Sequence, residues 1–438
     1  MNTLVFLTTI IHYLNTTTKY AILRNYEGLP EYNPSRDIDI AILQKDFLKI
    51  RMNLVKLIES TGWHIVTYLN SDRLVTFVCG IIHEDDSIET LQLDFFFHTS
   101  VFGLRLLDNE TILADRQFNG TLYHVSPAYA FLDKYTYCRS VGAKYPPKYA
   151  DVRHSVEQEP VVQTTIQKIF NTPSLDACDK LNRKEALLAL LKTNFKRYGL
   201  GVLSSYLSFE YHHIKNYLCS NTGFSIGFTG PDGSGKTTII NLLIENFGSI
   251  FHTAHAYYHF RPQLFGNLGD MAQSIGVKKE VDRNYSQPHR GKKTGTFSSL
   301  LRLAYYTTDY ILGYWFKVKS LTRITYLVIF DRYFTDIICD SRRSRINLST
   351  KFLYTFGKLF IPSLDYNILL TAKTDTILAR KQELDAQSIA EINRKIDYLK
   401  HKPNYYKIIN DTTPQAAVAK ILRIIFAKQH ERNLRRLN

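Results

Sequence analysis

Cysteine is scarce in this chain of 438 residues, and so are methionine and tryptophan. The five cysteines, at 79, 138, 178, 219 and 339, contain no C-x-x-C pair. That speaks against a disulfide frame and a zinc site, and for a reducing compartment, so a cytoplasmic location is expected. No stretch reaches ~18 uninterrupted apolar residues, and no membrane span is expected. Met1 to Leu14 is apolar but lacks a basic leader and a small-residue cleavage site, and reads as a first helix rather than a signal peptide. No internal repeat is evident. What the chain has in excess is positive charge: 55 Lys and Arg against 40 Asp and Glu, a formal +15 and a pI near 9.3. Such a field suits polyanions, whether nucleotides, sugar phosphates, nucleic acid or anionic membrane surfaces, without choosing among them. No nucleic-acid recognition motif accompanies it, so no specific nucleic-acid partner is expected. The oligomeric state is not legible.

The length favours two domains. Residues 1–150 mix strands and helices. Strands are expected at Tyr20–Arg24, Asp37–Ile42, Leu74–Val78 and Leu91–Phe96, and helices at Thr8–Leu14 and Lys45–Ser60. A polar, proline-containing stretch from Lys144 to Pro160 breaks the pattern. Residues 151–219 read as a helical extension or connector, with helices at Val161–Phe170 and Lys184–Leu218. Residues 220–438 alternate strand and helix, as expected of a parallel sheet. Strands are expected at Phe224–Phe228, Tyr326–Phe330, Tyr366–Thr371 and Lys407–Asn410, and a last helix from Pro414. The aromatic stretch Tyr305–Phe316 reads as a buried helix or substrate wall. Gly276 to Thr296 reads as a basic loop, and the tail Arg432–Asn438 as solvated.

Residues 230–237 read Gly-Pro-Asp-Gly-Ser-Gly-Lys-Thr, the G-x-x-x-x-G-K-[ST] phosphate-binding loop. Glycines let successive backbone N–H groups turn toward one centre, and the following helix N-terminus adds its dipole. Gly230, Asp232, Gly233, Ser234, Gly235, Lys236, Thr237 and Thr238 are therefore the candidate nucleotide-binding residues. Lys236 is placed to reach the β- and γ-phosphates, and the Thr237 hydroxyl to take a position on Mg²⁺. The flanks agree: an apolar strand precedes the loop, and Thr238–Phe247, with Gly248 as its stop, has helical spacing. Such an enzyme also needs a carboxylate at the end of a neighbouring strand, and Asp331 follows the apolar run Tyr326–Phe330.

Strand, then Asp331-Arg332-Tyr333, together with the G-x-D-G-x-G-K-T loop carrying Asp232, resembles the thymidylate kinases and related nucleoside-monophosphate kinases over about residues 220–438. The resemblance implies a P-loop kinase domain using ATP and Mg²⁺, with Asp331 catalytic and metal-organising and Arg332 placing the acceptor phosphate. It gives Arg261, in His259-Phe260-Arg261-Pro262, an acceptor-binding role. It makes Asp375–Glu391, with Arg380, Lys381 and Glu383, the lid, and Arg380 a contact to the transferring phosphoryl group. The thymine-reading elements of the family are not evident in Phe334–Arg343. This region, the stretch His259–Gly266 and the Tyr305–Tyr310 helix resemble a divergent group common beside surface-glycan genes.

In the first half, Asp37 and Asp39 stand at i and i+2 of a strand, and so share one face. Two adjacent carboxylates repel unless a divalent cation lies between them. Asp94, one acid in the apolar strand Leu91–Phe96, offers a third corner of a metal cradle that can align a hydroxyl with an NTP α-phosphate. D-x-D followed by a third acid resembles the nucleotidyltransferase superfamily, and Leu23–Pro30 resembles a branch associated with polysaccharide loci. The usual Gly-Ser before D-x-D is absent; Arg24, Asn25 and the Gly28 loop would take over its phosphate contacts. His98, His124 and Lys134 are candidates to line this site.

The expected fold class is α/β: a nucleotidyltransferase-like mixed sheet with a helical extension, then a P-loop parallel sheet. The expected function is phosphorylation of a small acceptor (a sugar, polyol, sugar phosphate or nucleotide) from a nucleoside triphosphate, with Mg²⁺-dependent nucleotidyl transfer by the first domain, in surface-polysaccharide precursor synthesis. A dTMP kinase and a non-enzymatic ATP-binding regulator are the alternatives.

Overall fold

In the computed structural model, residues 3–33, 35–219, 222–250, 254–264, 295–323, 326–381 and 384–437 are described. The chain separates into two compact units. One comprises Met1–Ile81, Ile88–Leu218 and Phe426–Asn438, the other Ile82–Ser87 and Cys219–Ile425. The last helix, Pro414–Leu437, thus begins in the second unit and ends in the first.

The first unit is built on a mixed seven-stranded sheet. Its strands are β1 (Tyr20–Ile22), β2 (Asp37–Ile42), β3 (His64–Asn70), β4 (Leu74–Ile82), β5 (Ile88–Phe96), β8 (Gln117–Phe118) and β9 (Tyr123–His124), while β6 (His98–Val101) and β7 (Leu104–Asp108) form a separate two-stranded ribbon. The sheet order is β3-β4-β5-β2-β1-β9-β8, with β2 parallel to β5 and antiparallel to β1. Period-two alternation divides the faces. Ile38, Ile40, Ile42, Leu91, Leu93 and Phe95 feed a core with Phe6, Ile10 and Leu14 of helix Thr3–Thr17 and Phe47, Leu54 and Ile58 of helix Gln44–Ser60. Ala41 and Phe96 join a second core on Phe131 and Leu132 of helix Pro127–Val141 and on helix Pro160–Phe170.

Several elements differ from expectation. The first helix is longer than Thr8–Leu14, and Lys184–Leu218 is two helices, Arg183–Tyr198 and Gly201–Cys219, parted where Gly199 takes φ 55°. The Lys144–Pro160 stretch holds a 3₁₀ turn, Pro147–Tyr149, and a short helix, Ala150–Val156. The tail is not solvated. Phe426, Gln429, Asn433 and Leu437 recur at helical spacing and are buried, and Asn433 Nδ2 donates to Ile65 O at 2.9 Å. The three arginines of the tail hid this periodicity, because charge outweighs spacing when a short segment is read alone.

The second unit holds a five-stranded, all-parallel sheet of β10 (Phe224–Thr229), β11 (His255–His259), β12 (Leu327–Asp331), β13 (Tyr366–Thr371) and β14 (Tyr405–Ile409). The order is β11-β12-β10-β13-β14, so the first strand in sequence is the central one. β10, β12 and β13 are buried throughout, as two-sided parallel strands must be. Helix Lys236–Ile250 passes Gly248 without stopping. Asp375–Glu391 is two helices, Thr374–Arg380 and Ala386–Leu399, the second capped by Asp385, whose side chain accepts from Ser388 N. Glu383 and residues 276–294 of the basic loop lie outside the described residues. Helix Thr296–Gly313 buries Tyr310 and continues into a wider π turn, Tyr314–Val318, where Trp315 and Phe316 are exposed. Among the described residues no helix is long and apolar enough to cross a membrane, and Cys79, Cys138, Cys178 and Cys339 are buried free thiols.

Candidate functional site

In open parallel sheets, ligands gather at the carboxyl ends of the strands where the strand order reverses. Here that place lies beyond β10, between β12 and β13, and residues 230–235 occupy it. The loop can only be made of glycine at key points. Gly233 and Gly235 take φ of 88° and 92°, and a Cβ on Gly230 would lie 2.0 Å from Leu370 O. Helix Lys236–Ile250 starts directly after it, with Thr237 and Thr238 exposed in its first turn.

Lys236 turns back into the loop and donates to Gly230 O at 2.8 Å and Pro231 O at 2.9 Å. Its burial and the Arg332 charge pull its ammonium down to about 8, outweighing the carboxylates of Asp232, Asp336 and Asp331. Asp232 is the hub. Arg332 Nη2 donates to its Oδ1 at 2.5 Å, Arg343 pairs with its other oxygen, and Lys236 Nζ is 3.8 Å away. Burial raises the Asp232 carboxyl, but Arg332, Lys236 and Arg343 overcome this and hold it at about 2. Arg332 is fixed on its other side by fully buried Asp336, at 2.9 and 3.1 Å. Its backbone takes φ 76°, which a non-glycine residue keeps only when its surroundings dictate it.

Asp331 ends β12, with Phe228 of β10 and His259 of β11 as its register partners. Tyr257 Oη donates to its Oδ2 at 3.1 Å, and His259 Nδ1 lies 3.6 Å from the same oxygen. Burial raises this carboxyl too; the neighbouring His259 side chain and the Arg332 and Lys236 charges leave it below the usual range. Its Oδ1 is buried without a hydrogen-bond partner, as is Ser234 Oγ. Orphaned hard oxygens beside a phosphate-shaped loop fit a magnesium–polyphosphate ligand.

Arg380 Nη1 donates to Asn410 O at 3.2 Å, and Asn410 Nδ2 donates to Ser234 O at 3.0 Å, so both border the loop. Arg261 lies two residues past His259, the register partner of Asp331, with its guanidinium already engaged. It is buried, its Nη1 donates to Asp309 Oδ2 at 2.9 Å, and it lies 4.7 Å over the Tyr306 ring. Sequence reasoning missed Asp336, Arg343 and Asn410. The i, i+4 spacing of Arg332 and Asp336 was the one available signal; the rest arrive from distant segments.

In the first unit, oxygens of Asp37, Asp39 and Asp94 all lie within 4.8 Å of one another. Parallel pairing sets Asp39 directly opposite Asp94. Ser35 bonds Asp37, Thr76 bonds Asp94, and Gln92 Nε2 donates to Asp94 Oδ2 at 2.8 Å. Arg24 bridges Asp39 and Asp133. Burial raises Asp39 to about 6, with Asp37, Asp94 and Asp133 adding to the rise and Arg24 opposing it. Burial also raises Asp94, against its Thr76 and Gln92 bonds. Three crowded carboxylates, two of them made reluctant to ionise, fit a divalent cation. His124 stacks on Tyr26 at 4.0 Å, while His98 lies on β6 near Arg105, its imidazole lowered to about 4 chiefly by burial.

No family model matches the chain, and no curated protein matches it. Among solved structures, a thymidylate kinase from Ehrlichia chaffeensis is similar over 46% of this chain and 98% of its own, at 16% identity and a TM-score of 0.32. What the chain itself shows is an α/β protein with a mixed sheet in one unit and, in the other, a five-stranded parallel sheet carrying a P-loop.

Proposed function

We propose that the second unit transfers the γ-phosphoryl group of ATP to a small acceptor. The observation that carries this reading is the pairing of a glycine-formed phosphate loop on the central strand with Asp331, orphan oxygen included, at the end of the adjacent one. Loop amides and Lys236 bind the β- and γ-phosphates. Arg332 and Arg343, oriented by Asp232 and Asp336, present positive charge where an acceptor and the transferring group meet. An acceptor oxygen attacks the γ-phosphorus, the bond to the β,γ-bridging oxygen breaks, and ADP leaves. Magnesium held by Thr237 and Asp331 would neutralise charge on the terminal phosphates. Arg380 sits beside the loop as a further cation.

The test is ADP release from full-length protein across polyols, sugars, sugar phosphates and dTMP. Turnover with one of these, lowered by at least roughly 100-fold in Lys236→Ala, is expected. Preference for dTMP would make it a nucleoside-monophosphate kinase. ATP binding without turnover on any acceptor would leave a nucleotide-binding regulator.

For the first unit the reading is nucleotidyl transfer, carried by the convergence of Asp37, Asp39 and Asp94. A phosphorylated sugar or polyol destined for surface polysaccharide is the acceptor class proposed, and the second unit would supply it. Pyrophosphate release from an NTP and the phosphorylated acceptor, lost in Asp39→Asn, is the expected result. Release at the natural rate from Asp39→Asn would remove this assignment.

A further inference from the structure

Beside the acid cluster the first unit holds a cavity of ≈340 Å³ whose chemistry the carboxylates do not explain. Arg24, Tyr26, Lys134, Tyr145 and Tyr149 line it, all half-buried. Arg24 connects it to the cluster through its ion pair with Asp39. Lys134 stands apart: among the described residues its ammonium has no hydrogen bond and no ion pair. An ammonium at a cavity wall with no partner can give a charge-assisted hydrogen bond to an anion brought by a ligand. The tyrosines supply flat walls. Tyr26 is backed by the stacked ring of His124 at 4.0 Å, and Tyr149 is steered by its hydroxyl to Asn25 Oδ1 at 3.4 Å. Glu27 and Asp151, more exposed than Lys134, also line it, and their carboxylates can accept from hydroxyl or amino groups of a ligand.

We infer that this cavity binds a phosphorylated ring compound, its phosphate on Lys134 beside Arg24 and its ring against the tyrosines. The volume lies at the lower end of the ~300–1,000 Å³ of small-molecule sites, enough for one sugar phosphate or nucleoside monophosphate unit. Its role as one reactant of nucleotidyl transfer rests on the reading of Asp37, Asp39 and Asp94 given above; the binding itself does not.

The experiment uses full-length protein in EDTA with glucose 1-phosphate, CMP, glucose and cytidine as probes. Amine acylation of Lys134, read by peptide mass spectrometry, is measured with and without each. One phosphorylated probe is expected to slow it at least threefold, and its unphosphorylated partner to leave it unchanged. Which probe protects tells whether the ring is a sugar or a base. In a Lys236→Ala background, calorimetry with the protecting probe is expected to show affinity falling about tenfold or more in Lys134→Met, the scale of one charge-assisted hydrogen bond. No protection of Lys134 by either phosphorylated probe at saturation overturns the inference. Protection that survives in Asp39→Asn while pyrophosphate release is absent from all forms of the protein upholds the pocket and removes the nucleotidyl-transfer reading.

Discussion

Asp232 takes three cations at once, from the loop itself, from the residue after β12 and from the short helix Ser341–Ser344. The arrangement has a pH signature. The folded carboxyl titrates at about 2, below its ordinary value of 3.8. A depressed acid stabilises the fold above its unfolded value, and that contribution disappears as pH falls through the folded one. Asp232 thus contributes about 2 kcal/mol, by the conversion of pKa difference to free energy, fully present above about pH 4 and lost toward pH 2. Urea melts of wild type and Asp232→Asn should therefore differ near neutrality and converge in acid. Parallel curves across that window would show that Asp232 is not the linked group.

At the scale of elements, the two sheets illustrate how local pattern becomes position. β12 is a continuous apolar run up to Asp331, the buried strands β10 and β13 are mostly apolar, and β2 alternates, so all four are readable. β11, with the sequence His-Ala-Tyr-Tyr-His, lies at a sheet edge, half exposed and polar. β8 and β9 have two residues each. Such strands exist because a neighbour offers hydrogen bonds, and nothing in their own composition announces them. The C-terminal helix teaches the same lesson in reverse. Its end seats Leu437 in the first unit's core, Asn433 on Ile65 O, and His430, whose Nδ1 accepts from Ile65 N at 2.9 Å. Truncation after Glu431 should lower the stability of that unit by about 2–5 kcal/mol, the range for removing a large buried apolar side chain. A melting curve unchanged by the truncation would contradict this packing.

For the whole molecule, two sites in two compact units should fail separately. Lys236→Ala is expected to abolish ADP formation while leaving Mn²⁺ binding at Asp37, Asp39 and Asp94, followed by calorimetry, within about twofold. A joint loss would show that the two sites act as one. Both sites should also share a dependence on salt, because the +15 net charge attracts anionic substrates over distances of about 10 Å at 0.1 M ionic strength.

What the sequence by itself determined is whatever lies contiguous along the chain. The glycine loop and its lysine, the alternation that puts Asp37 and Asp39 on one face, and the buried parallel strands are of this kind, because short-range sterics and period-two geometry suffice to set them. What only the tertiary structure decided is which distant residues meet. The register that sets Asp39 opposite Asp94, the capture of Asp232 by Arg343, the commitment of Arg261 to Asp309 and the cavity around Lys134 all depend on pairing and packing between remote segments. Those contacts are chosen by the burial of the whole core, and no local pattern carries them.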